Sequence, residues 1–255
     1  MESIAIALLK IPIILTCARL FDKATTSPPQ VATGNADQQL ETEQHKALDT
    51  KSISLLERKE WITISCYSSR LSYWTFSLVE IAVILARQFH SHALSGQLLR
   101  LLTGPAISDA PRIGMLSTVY LAGAALLVAG ATLRLVCFRT MGRFFTFNLT
   151  LRQQHKLVQS GPYAVVRHPS YTGGMLKTAG MIVTALLAPG SWYVEAGRHM
   201  RLGPYAAGFL VANMCSAMYY FMRGAKEDGY LKKEFGKEWE DYARRVPYRY
   251  IPGIW

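Results

Sequence analysis

Long apolar segments along this chain alternate with polar clusters rich in aromatic and basic residues. Residues 3 to 21 are apolar except for Lys10, Pro12 and Arg19, and no clean small-x-small cleavage site follows, so they predict a first transmembrane helix and not a signal peptide. From Lys23 to about Lys51 the chain turns to Thr, Ser, Pro, Gln, Asn, Asp and Glu, with Pro28 and Pro29 inside. Such a composition cannot bury a core and predicts a solvated linker. Residues 71 to 89 hold aromatic and branched side chains around one acid, Glu80, between Arg70 and Arg87, as expected of a span of about 20 residues. An ionisable group at bilayer depth costs a few kcal/mol, so Glu80 is expected to face protein and pair with a basic neighbour. The loop 90 to 112 ends that run. A third span follows from Ile113 to about Phe138, in which Gly114, Gly123, Ala124, Ala125, Ala129, Gly130 and Ala131 let neighbouring helices come close.

Two shorter apolar runs follow, 173 to 188 and 204 to 222, separated by Pro189 and Gly190. They predict a helical hairpin that returns the chain to the side it left. Beyond it, Leu231, Phe235, Trp239, Tyr242 and Val246 recur every three or four residues, giving an amphipathic helix broken near Gly236. The expected fold is therefore an all-α integral membrane protein of about five transmembrane helices, completed by a cytosolic loop and the C-terminal amphipathic helix. Its parts are an N-terminal helix (1–22), a polar linker (23–69) and a membrane-embedded core (70–255) with its chemistry at 140–172 and 223–252. Arg139, Arg143, Arg152, Lys156 and Arg167 cluster on the side that carries both polar clusters, and that bias marks it as cytosolic.

Composition agrees. Of 255 residues 50% are hydrophobic, yet 28 are Lys or Arg and the net charge is +11. The basic residues lie in loops beside apolar segments and form no dedicated run, so anionic lipid headgroups fit better than nucleic acid. Cys17, Cys66, Cys137 and Cys215 are scattered without a Cys-x-x-Cys pair, which indicates neither a disulfide framework nor a zinc site.

The first polar cluster is dense. His155, Tyr163, Arg167, His168 and Tyr171 supply donors, acceptors and ring faces within seventeen residues. Gly161-Pro162 marks a tight turn and Pro169 biases His168 toward extended backbone, so this is a shaped loop. It suits an adenine, a ribose and a carboxylate, with rings that can stack on a sulfonium cation. On spacing alone it is equally an interfacial anchoring belt. In the second cluster Arg223 and Glu227 share a helical face four residues apart, which on its own reads as an intrahelical ion pair.

Taken in order, His155-x-Leu157-Val158, Gly161-x-Tyr163, Arg167-His168-Pro169-x-Tyr171, Arg223-x-x-x-Glu227 and the tail from Phe235-Gly236 to Pro252 resemble the isoprenylcysteine carboxyl methyltransferase family in its fungal form, over roughly residues 140 to 252. The resemblance implies methyl transfer from S-adenosylmethionine to the carboxylate of a farnesyl- or geranylgeranyl-cysteine at the C-terminus of a prenylated protein, at the endoplasmic reticulum membrane. It also implies that His155, Lys156, Leu157, Val158, Tyr163, His168, Pro169, Ser170, Tyr171 and Glu227 contact the methyl donor and that Arg223 holds the prenylcysteine. Thr150 corresponds to a further donor contact, across a segment shorter than the family's. Asp228 stands where the family carries the second of two glutamates. The tail Val246 to Ile254 also resembles the end of sterol reductases, which are larger. A phospholipid N-methyltransferase shares the setting and the donor but needs a base to deprotonate its amine, for which His155 or Glu227 could serve. An inactive membrane scaffold would keep the fold without binding the donor.

Overall fold

A computed structural model describes residues 2–26, 59–104, 112–145, 156–200 and 202–254. Among these residues the regular structure is helical throughout. The helices are α1 (Glu2–Thr25), α2 (Lys59–Gln88), α3 (Ser95–Thr103) and α4 (Thr118–Met141). They are followed by α5 (Pro169–Ile182), which continues as a π-helical turn (Val183–Leu187), then α6 (Trp192–Glu195), α7 (Gly203–Phe235) and α8 (Lys237–Arg245). Among the described residues two helical stretches, Thr63–Gln88 and Thr118–Phe144, with 26 and 27 residues, are long and apolar enough to cross a membrane. At 1.5 Å per residue either exceeds the roughly 30 Å hydrocarbon layer.

The apolar runs 173–188 and 204–222 fall in α5 with its π turn and in α7, and the break between them includes Pro189 and Gly190. At Gly236 the backbone takes φ 51°, a conformation that ends α7 and lets α8 start in a new direction. Two helical segments were not legible in the hydropathy pattern. Helix α2 begins at Lys59, about three turns before its apolar stretch, and its hydroxyls are satisfied by another helix: Ser65 Oγ lies 2.7 Å from Ser216 Oγ, and Ser69 donates to Asn213 at 2.9 Å. Helix α3 sits within the expected loop 90–112; Leu99 and Leu102 pack on a hydrophobic core, and the indole of Trp192 donates to the Leu102 carbonyl at 2.6 Å.

The chain forms two compact units. The first comprises residues 1–22, 67–129 and 176–215. Its core is built from Ile14, Cys17, Phe21, Tyr73, Val83, Leu127, Met181 and Trp192 with their neighbours. Helices come close where side chains vanish: a Cβ added to Gly180 would lie 2.5 Å from the Gly123 carbonyl oxygen. The expected partner of Glu80 is Lys10, at 2.7 Å, with Lys10 wholly buried. Lys10 also donates to the Gly190 carbonyl at 2.9 Å and sits 4.0 Å above the Tyr120 ring, while Glu80 accepts from the Trp192 amide at 3.1 Å. Each charge is thus solvated by protein, and removing one strands the other. Lys10→Met should lower stability in detergent by about 3 kcal/mol, and adding Glu80→Gln should recover much of that loss. Thermal melts of the single and double variants measure both.

The second unit comprises residues 23–66, 130–175 and 216–255. It contains every described residue of the two polar clusters.

Candidate functional site

The first cluster is shaped by its prolines and by the C-terminal tail. Residues 156–160 carry no regular structure, Gly161–Ala164 form one 3-10 turn, and Pro169 opens α5. The tail runs alongside: the amides of Arg167 and His168 donate to the carbonyls of Tyr248 (2.9 Å) and Arg249 (2.8 Å), and the Thr172 hydroxyl donates to the Tyr250 carbonyl at 2.8 Å. Arg167 Nη1 adds bonds to the carbonyls of Val246 and Pro247, at 2.9 and 2.8 Å. Tyr250 then lays its ring against Gly224, where a Cβ would collide with the phenol, and its hydroxyl donates to the Phe221 carbonyl. Tyr242 on α8 donates to the Tyr163 carbonyl at 2.8 Å, which fixes the 3-10 turn.

Helix α7 supplies the other wall. Arg223 and Glu227 stand one turn apart, and the Tyr171 hydroxyl donates to Glu227 Oε2. His168 Nδ1 lies 3.7 Å from the same oxygen. The His168 ring stacks on Tyr171 (5.4 Å, 14°), which stacks in turn on Tyr220 (5.8 Å, 23°). Arg223 donates to the Tyr219 hydroxyl at 2.7 Å and lies over the rings of Tyr171 and Tyr219, 5.9 and 5.7 Å from their centroids. Burial pushes the Tyr171 phenol well above its usual range, so it stays a neutral donor to Glu227. Glu227 keeps a quarter of its side chain exposed, whereas Arg223 is nearly buried.

Asp228 turns the other way. Its carboxylate meets His168 Nε2 at 2.9 Å, Arg249 Nε at 2.8 Å and Arg167 Nη2 at 3.2 Å. Burial would raise this carboxyl, but the hydrogen bonds and charges of His168, Arg249 and Arg167 outweigh it and hold it at about 2. Behind the cluster, Arg134 is buried and donates to the Ala24 carbonyl (2.7 Å) and to the carbonyl and hydroxyl of Ser170 (3.1 and 3.0 Å), between the rings of Phe138 and Tyr220.

The structure thus brings Tyr171, His168, Arg223 and Glu227 together. Tyr163 is buried close enough to Glu227 to feel its charge. Pro169 is wholly buried at the start of α5, and Ser170 faces Arg134. Lys156 is exposed and Leu157 and Val158 are half-buried on the stretch leading to the turn. Thr150 and His155 lie outside the described residues. Arg134, Tyr219, Tyr220, Arg249 and Tyr250 were not singled out from sequence. Arg134 had a signal, an arginine inside an apolar run; Arg249 and Tyr250 lie in the tail that carries part of the resemblance, and Tyr219 and Tyr220 had no signal beyond composition.

A partly open carboxylate edged by ring faces attracts a cation, and the neighbouring guanidinium attracts a carboxylate. The site suits a pair of ligands of opposite charge, held at the end of apolar helices. That defines a class: a helical, membrane-type protein with a polar site where the apolar run of α7 gives way to charged residues. Comparison with known proteins adds similarities over part of the chain. Residues 123–196 match the model of the isoprenylcysteine carboxyl methyltransferase (ICMT) family. The chain is 31% identical over 127 residues to protein-S-isoprenylcysteine O-methyltransferase B of Arabidopsis thaliana, covering 49% of this chain and 55% of that one. It is 28% identical over 139 residues to the protein-S-isoprenylcysteine O-methyltransferase of Dictyostelium discoideum, covering 54% and 51%. It is also 28% identical over 100 residues to the delta(14)-sterol reductase TM7SF2 of Mus musculus, covering 39% of this chain and 20% of that one. The matches span about half the length of the methyltransferase relatives.

Because Asp228 is held below its ordinary 3.8, its ion pairs contribute stability that is complete above about pH 4 and is lost as pH falls toward 2. Asp228→Asn should remove that part of the acid limb, a difference on the order of 1–2 kcal/mol after allowing for solvent screening. Near-UV circular dichroism of both proteins between pH 5 and 2 measures it.

Proposed function

We propose that this protein transfers a methyl group from S-adenosylmethionine to the C-terminal carboxylate of a farnesyl- or geranylgeranyl-cysteine in prenylated proteins. The observation that carries the reading is the juxtaposition of Glu227, exposed enough to meet a cation and fixed by Tyr171, with the buried guanidinium of Arg223. The names of the plant and amoebal relatives point the same way. About five helices embed the chain in the endoplasmic reticulum membrane among its lipids, with the site toward the cytosol.

When bound, S-adenosylmethionine supplies an electrophilic methyl on a sulfonium. Glu227, held by Tyr171, faces the donor's positive charge, and the stacked rings of Tyr171 and His168 offer π faces to it. Tyr163, Pro169 and Ser170 shape that wall, and Lys156, Leu157 and Val158 border it, with Thr150 and His155 as further donor contacts. Arg223, braced by Tyr219, binds the prenylcysteine carboxylate through charge-assisted hydrogen bonds. A carboxyl of pKa roughly 3.5 is already ionised at neutral pH, so the chain need only orient it and exclude water, and no general base is required.

Two outcomes test this. Purified protein should transfer labelled methyl from S-adenosylmethionine to N-acetyl-S-farnesylcysteine as a base-labile ester, and Glu227→Ala should abolish it. Donor binding with label appearing only on phospholipid amines would sink the acceptor assignment. Arg223→Lys keeps the charge but loses the planar fork, so kcat/KM for farnesylcysteine should fall about 10-fold or more; near-normal turnover would refute the role given to Arg223.

A further inference from the structure

Among the described charged groups of the second unit, Asp228 makes three basic contacts, yet it is not among the residues that face the donor in the reading above. It follows Glu227 in α7, so the two carboxylates point about 100° apart around the helix. Glu227 takes Tyr171, while Asp228 takes His168 Nε2 at 2.9 Å, Arg167 Nη2 at 3.2 Å and Arg249 Nε at 2.8 Å. Two of these partners belong to the first polar cluster and one to the tail. The same arginine that reaches Asp228 also reaches the carbonyls of Val246 and Pro247, and the amide of His168 bonds the Arg249 carbonyl.

We infer that Asp228 is a positioning residue for the methyl-donor site: by holding His168 Nε2 it aims Nδ1 at Glu227, and by holding Arg167 and Arg249 it ties the tail 246–250 to the donor-binding loop. The inference rests on the proposed donor site. A histidine ring held at one nitrogen has its plane and its other nitrogen set, so a group that never meets the ligand governs one that does. Stacking of that ring on Tyr171 carries the constraint to the hydroxyl that holds Glu227. Arg223 meets this linkage through the face of the Tyr171 ring, 5.9 Å from its guanidinium, whereas Asp228 holds His168 directly, so the larger effect falls on the donor.

The test measures donor Kd by equilibrium dialysis, and KM for each substrate and kcat, in the full chain and in Asp228→Asn, Asp228→Glu and Arg249→Gln, with thermal melts as a check of folding. Asp228→Asn should raise donor Kd and KM about 10- to 100-fold while acceptor KM and kcat stay within about threefold. Asp228→Glu, which keeps the charge, should recover most of the loss, and Arg249→Gln should show a smaller rise of the same kind. Unchanged donor affinity in Asp228→Asn, or an equal fall in all parameters for every variant, overturns the inference. If Asp228→Asn does not fold, Arg249→Gln decides, and unchanged donor affinity there overturns it. A wild-type chain that binds donor but does not methylate farnesylcysteine removes the proposed acceptor and leaves Asp228 to be judged from Kd. A wild-type chain that binds no donor overturns both.

Discussion

A charge withdrawn from water must be given its solvation back by the protein, and that constraint governs this structure. In the first unit Lys10 and Glu80 solvate each other with help from a carbonyl, an amide and a ring. In the second, Arg134 is surrounded by carbonyl and hydroxyl oxygens and flanked by ring faces. Each arrangement joins residues far apart in sequence, so the polar contacts specify which helices meet, something that interchangeable apolar side chains do poorly. The candidate site extends the same logic to its edge, where Glu227 is left partly open and Asp228 is fully engaged.

Much of this was legible in the residues themselves. Glu80 in an apolar run announced a basic partner, although nothing in the spacing pointed to Lys10, seventy residues earlier. Gly236 announced the end of a helix, and Arg223 with Glu227 announced one helical face. The hydropathy pattern failed where polar groups find partners in three dimensions: the serines at the start of α2 read as linker until Ser216 and Asn213 are seen to satisfy them. Arg249 and Tyr250 lie in the tail that carries part of the resemblance, but their partners Asp228 and Gly224 were not legible, because a tail residue's worth here depends on the surface it lies against.

That tail engages mainly through its backbone. Arg167, His168 and Thr172 bond the carbonyls of residues 246 to 250, and a carbonyl is the same whatever side chain it carries. Side-chain identity matters at fewer points, Arg249 against Asp228 and Tyr250 against Gly224. The docked tail builds a frame around the loop that carries His168.

The hydrogen bonds that close this frame link positions nearly eighty residues apart, Arg167 to Val246 and Thr172 to Tyr250. Helices form from local contacts, whereas contacts of such long sequence separation carry a larger loop-closure cost. The loop that carries His168 therefore takes its shape from the tail as well as from its own residues. A chain with its helices formed but its tail undocked would lack the hydrogen bonds that shape this loop.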